Sequence, residues 1–191
     1  MGTCSNIEKV RKPYPPMSDR SFNNSKNSMR GISNENGGRH IGNSKRKSIS
    51  MYNNLLKIHN DIRIKYKAPD LKLNYELCQL AQEYADKCAD SQNIDFTPVL
   101  YNDECIGENI SEFYGDISTT SKICEDWAYE RNYFDFRSKE YKDQTKHFTQ
   151  MIWKNTKSVG FGFSSSSNGK YYFVSFYYPA GNIFDEFDKN V

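Results

Sequence analysis

His147-Phe148-Thr149-Gln150-Met151-Ile152-Trp153-Lys154-Asn155-Thr156 is the stretch whose reading decides the fold. It begins with an imidazole and continues into apolar residues, so a short helix from His147 to Trp153 is expected. Beyond it, Val159 to Phe163 and Tyr171 to Tyr177 are dense in β-branched and aromatic residues. Asn168-Gly169 between them is a tight-turn dipeptide, and the pair reads as a β-hairpin. Upstream, Met51, Leu55, Ile58 and Ile62 recur at helical spacing and predict an amphipathic helix over 51–66, broken at Ala68-Pro69-Asp70. Leu73, Leu77, Leu80, Ala81 and Tyr84 mark a second helix running to about Ala89, and 91–107 reads as irregular. Ser118-Thr119-Thr120-Ser121 offers N-caps for a third helix, with Ile123, Trp127, Tyr133 and Phe134 on its apolar side. Helices first and a hairpin last predict an α+β fold in which helices cover an antiparallel sheet.

Composition divides the 191 residues in two. Residues 1–50 hold 24 Ser, Asn, Gly and Pro but only two aromatics, Tyr14 and Phe22, whereas 26 aromatics fall in 51–191. The first segment buries too little apolar surface to offset its ordering entropy and reads as a disordered tail. It carries 10 Lys and Arg against 3 Asp and Glu, while the remainder, with net charge −5, is acidic. The reading is therefore a basic tail (1–50) on one folded domain (51–191). No apolar run is long enough to cross a membrane, and the N-terminus lacks the apolar core of a secretory leader. Without an export signal, the five cysteines read as reduced thiols. The acidic domain shows no nucleic-acid motif, so no nucleic-acid partner is expected.

Three motifs carry a family resemblance: Gly107-Glu108-Asn109-Ile110, the His147–Thr156 stretch, and Tyr177-Tyr178-Pro179-Ala180-Gly181-Asn182-Ile183. In this order they resemble the CAP superfamily of cysteine-rich secretory proteins, antigen 5 and pathogenesis-related proteins. His59-Asn60-Asp61-Ile62-Arg63 is similar to the family's His-Asn-x-x-Arg signature on its opening helix, and Leu71-Lys72-Leu73 to its entry to helix two. The likeness spans 51–191 and is nearest to intracellular, Golgi-associated and venom-allergen-like members. It implies an α-β-α sandwich with helices on both sides of an antiparallel sheet. Ser175 stands where secreted members carry a cysteine, in keeping with reduced thiols.

The resemblance also implies a central cleft lined by two His and two Glu. Glu108, Glu130 and His147 match three of these positions, and Phe96 occupies the fourth, where a histidine usually stands. A phenyl ring offers a metal no lone pair, so no cofactor is required; one His and two Glu can hold at most a weakly bound divalent cation, Mg²⁺ or Zn²⁺. Cys105, three residues before Glu108, is either a substitute ligand or a small hydrophobe. Equally, the two carboxylates and His147 can form a hydrogen-bonded network that orders the core.

Two functional readings follow. In the first, the domain binds and does not react: Tyr133, Phe134, Phe136 and Tyr141, interleaved with Arg131, Arg137, Lys139, Lys142 and Lys146, are candidate contacts for membrane lipids such as an anionic phospholipid, sterol or fatty acid. Tyr133 and Phe134 are also candidates for the core. In the second, His147 acts as the base of a degenerate hydrolase or protease with Glu130 or Glu108 orienting it, although no nucleophile motif is present. Gly2 and Cys4 are candidate sites for myristate and palmitate, though Asn6 stands where the acylation pattern prefers Ser or Thr. A lipidated, basic N-terminus would hold the protein at the cytoplasmic face of a membrane, Golgi included. Resemblance implies a homodimer.

Overall fold

The structure is a computed structural model that describes residues 40–94, 98–116 and 118–191, with side chains from residue 49 onward. Helix α1 spans His40–Lys65, β1 Lys72–Leu73, α2 Tyr75–Ser91, β2 Leu100–Tyr101, β3 Glu104–Cys105, β4 Gly107–Tyr114 and α3 Thr119–Tyr129. Two 3₁₀ turns, Glu130–Tyr133 and Asp143–Thr145, lead into α4, Lys146–Ile152. Strands β5 (Ser158–Ser165) and β6 (Lys170–Tyr178) and the one-turn α5 (Phe187–Asn190) complete the chain.

Four strands form one sheet in the order β1-β5-β6-β4, antiparallel except for the β1–β5 pair. Alternation along β6 sends Tyr172, Val174 and Phe176 into the cluster beneath α2, and Phe173 and Tyr177 into the cluster on the opposite face. Helix α2 is amphipathic, burying Leu77, Cys78, Ala81, Tyr84, Ala85, Cys88 and Ala89 along one stripe. Its first turn is capped by Asn74, whose Oδ1 accepts the amides of Glu76 and Leu77 at 2.8 and 3.2 Å. Gly160 and Gly162 of β5 face it directly. A Cβ at Gly160 would lie 2.3 Å from the backbone of Leu77 and Cys78, and one at Gly162 would lie 2.2 Å from that of Ala81. On the other face α1, α3 and α4 bury Leu55, Ile62, Trp127, Phe148, Met151 and Trp153 against Phe161, Phe173 and Tyr177. The result is the expected α-β-α sandwich.

Several details differ from the sequence reading. Helix α1 starts at His40, inside the segment assigned to the tail. The region read as irregular ends in a small β2–β3 hairpin and the eight-residue strand β4. Gly, Glu and Asn at the start of β4 are poor strand formers, and pairing with β6 along its full length overrides that preference. Helix α3 stops at Tyr129, so Tyr133 and Phe134 lie on a 3₁₀ turn and just after it; Phe134 is core at 6% exposure, while Tyr133 is 52% exposed. The reduced-thiol reading holds for Cys78, Cys88 and Cys124, which are buried thiols outside any disulfide, but not for Cys105, which is disulfide-bonded. Cys105 is half-buried at the end of β3, and as part of a disulfide its sulfur is not a free ligand.

Candidate functional site: a motif helix held at both ends

Helix α4 has seven residues, fewer than an isolated helix needs to persist in water. Charged side chains from elsewhere satisfy its ends. At the N-terminus, Glu130 Oε2 accepts the amides of His147 and Phe148 at 3.0 and 3.1 Å, and its Oε1 accepts from His147 Nδ1 at 2.6 Å. Thr145, the residue at the cap position, makes no side-chain cap bond. At the C-terminus, the buried guanidinium of Arg63 donates from Nη1 to the carbonyls of Met151 and Trp153 at 2.8 and 2.9 Å. Its Nη2 donates to Thr156 O at 3.1 Å and its Nε to Pro69 O at 2.7 Å. A carboxylate at the positive end of the helix and a guanidinium at the negative end both complement its dipole.

The other motifs lock onto the same helix. Gly181 N donates to Gln150 Oε1 at 2.9 Å, and Thr149 Oγ1 donates to Asn182 Oδ1 at 2.6 Å. Asn182 Nδ2 returns a bond to Lys146 O at 2.8 Å. Gly107 lies so close to Gln150 that a Cβ there would come within 2.1 Å of its Oε1. Asn109 Nδ2 donates both to His147 O (3.0 Å) and to Tyr177 Oη (3.2 Å). His59 extends this chain into α1. Its Nδ1 faces the Leu55 carbonyl at 2.8 Å and must donate, so its Nε2 accepts from Tyr177 Oη at 2.8 Å.

Burial sets the electrostatics of this interior. It lowers His59 to about 4, partly opposed by the Leu55 hydrogen bond and reinforced by the Arg63 charge. It also lowers Arg63 to about 10 and raises Tyr177 well above its usual value. His59 is therefore a neutral linker.

The structure brings Glu130 and His147 together at the surface, with side chains about one-fifth exposed. The imidazole stacks on Trp127 (centroids 5.5 Å apart, 16° between planes), which stacks in turn on Phe173 and donates to Ser111 Oγ at 3.1 Å. Glu108 is not brought to this pair. Gly107, Asn109 and Ser111 alternate toward α3 and α4, whereas Glu108 pairs in register with Phe176, which packs beneath α2. Among the described residues, no three His, Cys, Asp or Glu side chains are placed to hold a metal ion. Phe96, Gly2 and Cys4 lie outside the described residues. As a chemical unit, Glu130–His147 can hold a proton and cap a helix.

Sequence reasoning missed the structural duties of Arg63, Asn60, Gln150 and Asn182. Asn60 forms two bonds to the Leu71 backbone, from Nδ2 to O at 3.1 Å and from the amide to Oδ1 at 2.8 Å. For Arg63 a signal existed: Leu55, His59, Ile62 and Arg63 share one helix face, so the arginine had to be buried and to find acceptors.

A sandwich whose short motif helix is clamped in this way is a CAP domain. The chain belongs to the CAP, or cysteine-rich secretory protein, family, whose model matches residues 56–178. Over 146 residues it is 36% identical to Golgi-associated plant pathogenesis-related protein 1 of Homo sapiens, a match covering 75% of this chain and 94% of the human protein. It is 31% identical over 129 residues to pathogenesis-related protein 1A of Nicotiana tabacum, covering 66% of this chain and 74% of that one. Among solved structures, venom allergen-like protein 4 of Schistosoma mansoni shares the fold with a TM-score of 0.57 at 23% identity, over 69% of this chain and 90% of that one. Among the described residues, no helix is long and apolar enough to cross a membrane.

Proposed function

We propose that this CAP-domain protein works by binding and not by catalysis, and that its ligand is the surface of an anionic membrane. The observation that carries the reading is a ridge of exposed rings beside α4. Tyr129 is 63%, Tyr133 52% and Phe136 40% exposed, and Tyr129 packs edge-on to Tyr133 at 6.4 Å. Tyr66 supports Phe136 from below, stacked at 6.0 Å and 4°. Arg131, Arg137 and Lys142 are exposed around the ridge. Rings with polar edges suit a lipid interface, and basic neighbours suit anionic headgroups. Phe134, packed in the core, supports the ridge without reaching lipid. Acylation of Gly2 would supply the second signal that stable anchoring needs, and a cytoplasmic, Golgi-type membrane fits this reading. Engagement of Glu130 in holding α4 supports the non-catalytic half of the proposal.

Vesicle flotation tests it. Full-length protein should float with vesicles containing phosphatidylserine, less with neutral phosphatidylcholine, and less at high salt. The double variant Tyr129→Ser, Tyr133→Ser should lose a large share of that binding while keeping its fold. Equal flotation with neutral vesicles, or an unchanged double variant, refutes the proposal.

A further inference from the structure

On a surface made by neither Glu130–His147 nor the aromatic ridge, a cavity of about 330 Å³ opens between residues 139–141 and the turn that enters α5. Its apolar walls are Tyr141 and Phe187, packed edge-to-face at 6.2 Å, and Phe184, which stays 60% exposed at the mouth. Glu140, Asp185 and Asp188 surround these rings. One cation, Lys139, lines the cavity, but its Nζ is directed to backbone carbonyls, donating to Asp188 O at 3.2 Å and Val191 O at 2.9 Å. Among the described residues, none of the three carboxylates is in an ion pair. The hollow is at the small end of ligand sites, suited to one long side chain.

We propose that this cavity receives an arginine or lysine side chain from a basic segment of a partner polypeptide. The alkyl stem lies along Tyr141 and Phe184, and the charged head meets Glu140 and Asp185. Rings attract a cation through their faces, and the carboxylates add charge complementarity. The same carboxylates repel a phosphate or carboxylate ligand, and a neutral apolar group would leave them without a counter-charge.

The test is amide NMR of the full chain titrated with acetyl-Gly-Arg-Gly-amide and with its citrulline counterpart, which keeps the shape of arginine but not its charge. The arginine peptide should bind saturably, with shifts confined to residues 139–141 and 184–188. The citrulline peptide should bind at least fivefold more weakly. Because both side chains are exposed, Glu140→Gln with Asp185→Asn should weaken the arginine peptide about fivefold with the fold intact. Phe184→Ala should weaken it about two- to fivefold. Equal binding of the two peptides, shifts scattered over the domain, or an indifferent Glu140→Gln, Asp185→Asn variant overturns the proposal. If that variant shifts amides within residues 1–50 with no peptide added, the chain's own basic segment is the occupant and the assignment to a partner falls.

Discussion

Replacing Arg63 with Met isolates the support at one end of α4. The guanidinium makes four hydrogen bonds, all to backbone carbonyls, and is fully buried. Hydrogen bonds involving a charged group contribute about 1.5–3 kcal/mol each, so the gross interaction is on the order of 6–12 kcal/mol. Unfolding returns the charge to water, which recovers part of that sum. Methionine fills much of the volume but takes the charged donor from four carbonyls, of which Trp153 O retains the Thr156 amide at 3.1 Å, so the net loss should approach the ~3–5 kcal/mol typical of breaking a buried charge network. A central value of about 4 kcal/mol corresponds to a fall in Tm of roughly 8–16 °C for a domain this size. Arg63→Lys should lose about half as much, because three donors on a flexible stem cannot reproduce the fork. Equilibrium urea unfolding followed by circular dichroism measures both. A Met variant within about 1 kcal/mol of the parent would show that the dipole of α4 and its last carbonyls need no cation, and the account of the motif would fail.

Three further outcomes follow from the same geometry. His59 is held neutral with its pKa near 4, against 6.5 for an ordinary histidine, so the unfolded chain binds the proton first as pH falls. Stability should be complete above pH 6.5 and decline toward pH 4 by up to about 3 kcal/mol; His59→Gln should flatten the pH 5–6.5 part of a urea-midpoint profile. Gly162→Ala sets a methyl group 2.2 Å from the Ala81 backbone, forces α2 off the sheet and should cost at least ~2 kcal/mol, read as the change in urea midpoint. Glu130→Gln keeps the shape but removes the charge that accepts both α4 amides; a loss of about 1–2 kcal/mol is expected, with faster hydrogen exchange at the His147 and Phe148 amides.

What the sequence revealed depended on range. The α2 stripe and the β5–β6 hairpin were legible because their patterns are local: helical spacing from Leu77 onward, and a turn dipeptide between two aromatic runs. Strand β4 was hidden because Gly107-Glu108-Asn109 carries no strand preference, and its partner β6 begins 56 residues after β4 ends. The site was half legible. Motif matching offered Glu130 or Glu108 as the partner of His147, and in the structure Glu130 lies 2.6 Å from its ring. Glu108 pairs in register with Phe176, whose ring packs beneath α2, a placement visible only once the register is known. The partners of Arg63 are carbonyls, which all residues possess, so no side-chain pattern announces them.

The near-absence of side chains between β5 and α2 governs how the molecule can move. Backbone rests almost on backbone at Gly160 and Gly162, leaving no deformable filler to let those elements slide. Strand and helix therefore form a chassis that travels as one body. Any adjustment on ligand arrival has to come from the opposite layer, where α3 and α4 are joined through the Glu130 carboxylate. There a displaced side chain can shift a helix end without disturbing the frame.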